Sequence, residues 1–279
     1  MNIVRILPII TIAFAIGATA HAHQLWVNAT HYIVDVTEQD LSKITPAGVA
    51  YVGWGHNFPA DSLPPADDLK PMTLIQPGGG SAPIRGAEEG FLAAPISVTK
   101  PGPYIVTVEH NGGYFTVHKE DGEVKHGQRT KEDLDHVLTS EYFEMMGKAL
   151  VAVGDLDISA FTQPVGQLIE IVPATNPYTL TPGAETRLTI QIFLRGKPLE
   201  GATVTTFHVN QSVGESFVVD EPTNARGEST VALPHQGPWM IKATYRQPAP
   251  AHLANKTDEK SYTATMTFAL PKAESAEGT

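Results

Sequence analysis

The sequence predicts an all-β protein: two immunoglobulin-like antiparallel β-sandwich domains with one connecting amphipathic helix. Three observations lead there. Proline and glycine are abundant, at 22 and 24 of 279 residues. Between these turn formers run short segments rich in Val, Ile, Thr and aromatic residues, as in sandwich strands. A single stretch, 130–153, departs from that pattern and carries apolar residues at helical spacing.

The first β-rich region spans residues 23–129. Its strand candidates are Gln24–Val36, Val49–Trp54, Met72–Gln76, Ile96–Thr99, Tyr104–Glu109 and Tyr114–His118. Asn111-Gly112 between the last two reads as a two-residue hairpin turn, which would set Val108 against Phe115 and Val106 against Val117. In 130–160, Thr130 and Asp133 give a capping signal. Leu134, Leu138, Met145, Ala149 and Val153 follow as the apolar face of the connecting helix, with Met145 and Met146 as core filler. The second sandwich covers 161–271, with strands at Leu168–Val172, Arg187–Leu194, Ala202–His208, Ser216–Val219, Glu228–Leu233, Trp239–Tyr245 and Ser261–Leu270. Gly196 to Ala202 forms a tight hairpin there, and residues 272–279 are a polar tail expected to be disordered.

Composition narrows the function. The chain has 19 basic and 30 acidic residues, a formal charge of −11. Such a surface disfavours nucleic acid and attracts cations. The absence of cysteine excludes disulfides, a lipid-anchored cysteine and thiolate metal ligands. No glycine-rich phosphate loop, G-x-S-x-G or H-E-x-x-H motif is present, so no catalytic residues are expected and the chain reads as a non-enzyme.

Residues 1–22 have the form of an export signal. Arg5 is the positive segment, Ile6 to Ile16 the apolar core, and Ala20-His21-Ala22 a small-x-small cleavage site. Cleavage there makes His23 the first residue of an exported, periplasmic protein, with no membrane insertion afterwards. Its α-amine and imidazole Nδ1 would then chelate one ion. Cleavage after Ala20 instead releases His21-Ala22-His23, whose amine, backbone amides and imidazole suit square-planar Ni(II) or Cu(II).

Spacing sorts the remaining histidines. His23 and His31 lie about 26 Å apart along one strand at ~3.3 Å per residue and cannot share an ion. His110 and His118 fall on opposite faces of the expected hairpin, His118 and His126 read as solvated, and His136 as helix surface. His208, His235 and His252 read as structural or exposed. His56 differs, because it stands at a strand end within Gly53-Trp54-Gly55-His56-Asn57-Phe58-Pro59, where two glycines and a proline constrain the backbone. It is a candidate fixed ligand alongside His23, the alternative being a histidine that caps a core edge through a backbone hydrogen bond. Asp61, Asp67 and Asp68 in the next loop read first as a solvated loop and otherwise as outer carboxylates.

These motifs carry a resemblance. His23-Gln24-Leu25-Trp26, the Gly53–Pro59 segment, Val172-Pro173 with Asn176-Pro177, Gly196 to Ala202, and Asn224 to Glu228 together resemble a bacterial family, formerly of unknown function, that is the periplasmic component of cobalt/nickel ABC-type uptake systems. The resemblance spans nearly all of the mature chain. It implies two β-sandwiches, Ni²⁺ or Co²⁺ as bound cargo, His23 and His56 as ligands, and a membrane transporter component as partner. Cu²⁺ would also bind in vitro. A related nickel permease component binds metal through its terminal amine and a His in second position, whereas the cut here makes His23 the first residue. The alternatives are a copper histidine-brace oxidative enzyme and a non-catalytic adhesive or chaperone-like sandwich module.

Overall fold

The computed structural model describes residues 23–36, 43–86, 90–154, 159–210, 217–218 and 222–272. The signal segment with His21, and the tail beyond Lys272, lie outside them.

In the first half the strands are β1 (Gln24–Ala29), β2 (Ile33–Val34), β3 (Thr45–Gly55), β4 (Thr73–Ile75), β5 (Ser81–Pro83) and β6 (Ala93–Val98). Then come β7 (Gly102–Glu109), β8 (Gly113–Glu120), β9 (Glu123–Gly127) and the long β10 (Val137–Val153). The second half holds β11 (Ile169–Pro173), β12 (Arg187–Leu194), β13 (Lys197–Pro198), β14 (Thr203–His208) and β15 (Phe217–Val218). It ends with β16 (Glu228–Ala232), β17 (Gly237–Pro248) and β18 (Glu259–Leu270). The fold is all-β, as expected. Among the described residues only short 3₁₀ turns are helical.

Three sheets form. β1-β3-β6 make a three-stranded sheet and β11-β12-β13 with β16 a four-stranded one. An eleven-stranded sheet, β15-β14-β17-β18-β10-β7-β4-β5 with β2, β8 and β9 attached, runs through both halves. The three-stranded sheet packs over one part of it. There Thr265 and Thr267 of β18 donate to the carbonyls of Leu25 and Val27 in β1. The four-stranded sheet is tied to it by a buried ion pair, Lys148 of β10 with Glu170 of β11 at 2.8 Å. Glu170 also accepts the backbone N–H groups of Val165 and Gly166, so the buried carboxylate is fully engaged. One continuous apolar core fills both halves.

The helical connector is overturned. Residues 137–153 form β10, which pairs with β18 in parallel along Glu141–Ala149 and with β8 and β7 on its other edge. Asp133 and His136 adopt left-handed backbone angles (φ 61° and 53°), which a right-handed helix excludes. Met145 and Met146 are buried in the core, as the filler reading has it.

The hairpin at Asn111-Gly112 is also overturned. β7 and β8 do not pair with each other; both run antiparallel along the same edge of β10. The register is Ile105↔Leu150 before the two residues and Gly113↔Phe143 after them, a slip of one. Asn111-Gly112 is therefore a bulge in one bent strand, with Gly112 at φ 89°. Consequently His110 and His118 are separated along one strand rather than across a hairpin. His118 is buried, not solvated, because it lies in the interior stretch of β8. His136 sits exposed in the turn before β10 rather than on a helix.

Candidate metal centre

The site stands where β1 begins and β3 ends. Antiparallel pairing of Gln24 with Gly55 brings the two strand termini side by side. Period-two alternation puts Leu25 and Val27 on the face toward the large sheet, and His23 continues that face. The loop after Gly55 then brings His56 beside it. The two imidazole rings lie 4.8 Å apart, centroid to centroid, at 44°. Both side chains are exposed, and no hydrogen bond from the described residues engages their ring nitrogens. The two residues nominated as ligands from sequence are thus neighbours in space.

Both glycines of the Gly-Trp-Gly-His segment are demanded by close approach. A Cβ on Gly53 would stand 1.8 Å from Trp26 Nε1, so the indole lies directly over that backbone. A Cβ on Gly55, which has φ 124°, would stand 2.4 Å from an Asp61 carboxylate oxygen. That oxygen accepts the His56 backbone N–H at 2.7 Å, while the other accepts from the Asn57 amide at 3.1 Å. Further along, the Pro59 carbonyl accepts from Trp26 Nε1 at 2.9 Å and from Asn28 Nδ2 at 2.8 Å. The loop bearing His56 is therefore pinned at two points, by Asp61 and by the outer face of β1.

Trp54 forms the floor. Its ring lies 5.7 Å from that of His23 and, on its other side, stacks at 11° and 5.7 Å on His110. His110 in turn rests against Phe143. Buried His110 accepts the Gly112 N–H at Nδ1, so Nε2 carries its proton and meets no partner. Sequence reasoning missed His110 because the hairpin register aimed it elsewhere. Trp26 and Asn28 were missed too, although their i, i+2 spacing on β1 was a legible sign of a shared face. Asp68 faces His110, and its charge partly offsets the burial that lowers the His110 pKa.

The electrostatics suit a nitrogen donor. Partial burial, and then the neighbouring His56, lower the His23 pKa, against an opposing pull from Asp61. The hydrogen bonds from His56 and Asn57 hold the Asp61 carboxyl below its usual range. Near neutrality the site thus presents neutral imidazole beside a carboxylate. Among the described residues no group of three or more His, Asp or Glu side chains converges on one point. Two imidazoles are what the side chains supply here.

Comparison with known proteins gives one decisive match. A family profile described as "Domain of unknown function (DUF4198)" covers residues 20–247. The chain belongs to this family. No curated protein matches it. Among solved structures, the D0-D1 domain of intimin aligns over 87% of this chain and 96% of that one, at 12% identity and a TM-score of 0.21. A Salmonella alpha-2-macroglobulin mutant aligns over 90% of this chain but 15% of its own, at 8% identity and 0.20. Superpositions this loose carry no weight for the family's function.

Proposed function

We propose that this member of the family is a periplasmic binding protein for a divalent transition metal, Ni²⁺ or Co²⁺, which it passes to a membrane uptake component. The observation that carries the reading is the pair of free-nitrogen imidazoles, His23 and His56, 4.8 Å apart on a doubly pinned loop. Export supplies the missing donor. Signal cleavage before His23 exposes an α-amine on the residue that already bears one of the two imidazoles, giving three nitrogens at one point. A nitrogen-rich, thiolate-free set binds Ni²⁺ firmly and Cu²⁺ more firmly still, so selectivity rests on geometry and supply.

The test is metal analysis and calorimetry on protein recovered from the periplasm, with its first residue established by sequencing. One equivalent of nickel or cobalt is expected on protein starting at His23. It should be lost in His56→Ala and in protein with a methionine retained ahead of His23. Copper alone in freshly isolated protein would redirect the reading to a histidine-brace oxidative enzyme. Nickel binding that survives removal of both His23 and His56 would overturn the site.

A further inference from the structure

A second site opens on the flank of the first sandwich, and neither His23 nor His56 lines it. Between the three-stranded sheet and the large sheet lies a cavity of about 290 Å³, open to solvent on one side. Its floor is Val52, Met72, Leu92 and Val108, all buried core residues. Its walls are the chain after residue 66 and the chain leading to Gly86, which join where the Ile84 N–H donates to the Met72 carbonyl at 2.8 Å. Gly86 presses so closely on β6 that a Cβ there would meet the Ala93 carbonyl at 1.5 Å, which fixes that wall in place.

Charge distinguishes this cavity from a packing flaw. The chain as a whole is acidic, yet the charged side chains lining the cavity are both cationic, Lys70 and Arg85. Lys70 is held by Glu109 at 2.6 Å. Arg85 is exposed and has no acidic partner among the described residues. An apolar interior with a cation at the mouth that no described acidic side chain pairs is the arrangement that binds a small ligand by its tail and orients it by its head. The volume lies near the lower limit for small-molecule sites, roughly 300–1,000 Å³, so the tail is short.

We infer that this cavity is a binding site for a short amphiphilic monoanion, such as a medium-chain aliphatic carboxylate, with its tail on Val52, Met72, Leu92 and Val108 and its head at Arg85. The inference is independent of the metal reading, since none of these residues belongs to the histidine pair.

Calorimetric titration of the full mature chain with decanoate, decanol and decyltrimethylammonium tests it. Decanoate should bind one to one. Decanol should bind at least about fivefold more weakly, the scale of one favourable exposed charge contact, and the cation should not bind. Arg85→Glu, a surface change that spares the core, should weaken decanoate by about tenfold or more. Met72→Trp, checked for folding by its circular dichroism, should fill the floor and abolish binding. His56→Ala should leave decanoate binding unchanged. Failure of decanoate to bind, equal binding of decanol, or binding indifferent to Arg85→Glu would each overturn the assignment.

Discussion

Among the described residues, two tryptophans each gather histidine rings around them, and the two groups do opposite things. In the first half His23, His56 and Trp54 gather at the strand ends, with the histidines exposed and their nitrogens free. In the second half His208, His235 and Trp239 gather as closely, His208 lying 5.3 Å from His235 and 4.6 Å from Trp239. There, however, His208 is buried and spends both nitrogens: Nδ1 accepts from the Asn210 N–H at 3.3 Å and Nε2 donates to the Gln236 carbonyl at 2.9 Å. Trp239 is fully buried and donates to the His235 carbonyl. Ring proximity is the same in both; the availability of lone pairs is not. The second cluster closes a core, and the first is open for coordination.

The largest effect that sharpens this contrast is on the closed cluster. Trp239→Ala should cost about 3–5 kcal/mol of folding stability through the cavity it leaves, read as a lowered urea midpoint, while the folded fraction keeps its nickel affinity. His56→Ala should do the reverse. Nickel affinity should fall by about a hundredfold, a loss at the upper end of what even supporting residues of metal sites cause, with stability within about 0.5 kcal/mol of the parent. Equal losses of stability in both variants would erase the distinction.

Gly53→Ala should fall between these, because it strikes the support and not a ligand. The added methyl collides with the Trp26 indole and must displace it from the Pro59 carbonyl, at a cost of about 1–3 kcal/mol. Nickel affinity should weaken along with stability, whereas an unperturbed calorimetric titration would show that the grip on Pro59 does not position His56.

The smallest effect is that of pH, and it differs between the clusters. Burial lowers the His208 pKa, so the unfolded chain takes up a proton near the ordinary value of about 6.5 while the folded chain resists until lower pH. Stability from this residue is therefore complete above that value and declines as pH falls below it. At the open cluster, acid should act on affinity, because protonated imidazole cannot ligate. Urea midpoints and nickel titrations from pH 7.5 to 5, on the order of one titration range around the histidine value, would separate the two curves.

Legibility followed solvent exposure. Arg187–Leu194 alternates buried and exposed residues at its start, and its expected bounds match the strand. β10 was misread because every residue from Met145 to Val153 is buried, so alternation vanishes and Met, Leu and Ala imitate a helix. At the site, His23 and His56 could be nominated one by one from their local motifs. Their meeting depends on the register of β1 with β3, and the placing of His110 depends on a one-residue slip against β10. Both are long-range facts that local pattern does not encode.

The length of β10 has a mechanical consequence. Its central residues pair with β18 from the far half of the chain, its two edges are occupied by β8, β7 and β2, and Lys148 locks it to β11. The two sandwiches thus share a spine, and a hinge between them would have to break a nine-residue parallel ladder together with a buried ion pair. On the proposed metal-binding reading, then, an ion held at this rim would not leave by a clamshell opening. It would leave by ligand substitution, one incoming donor at a time, at an edge that stays still.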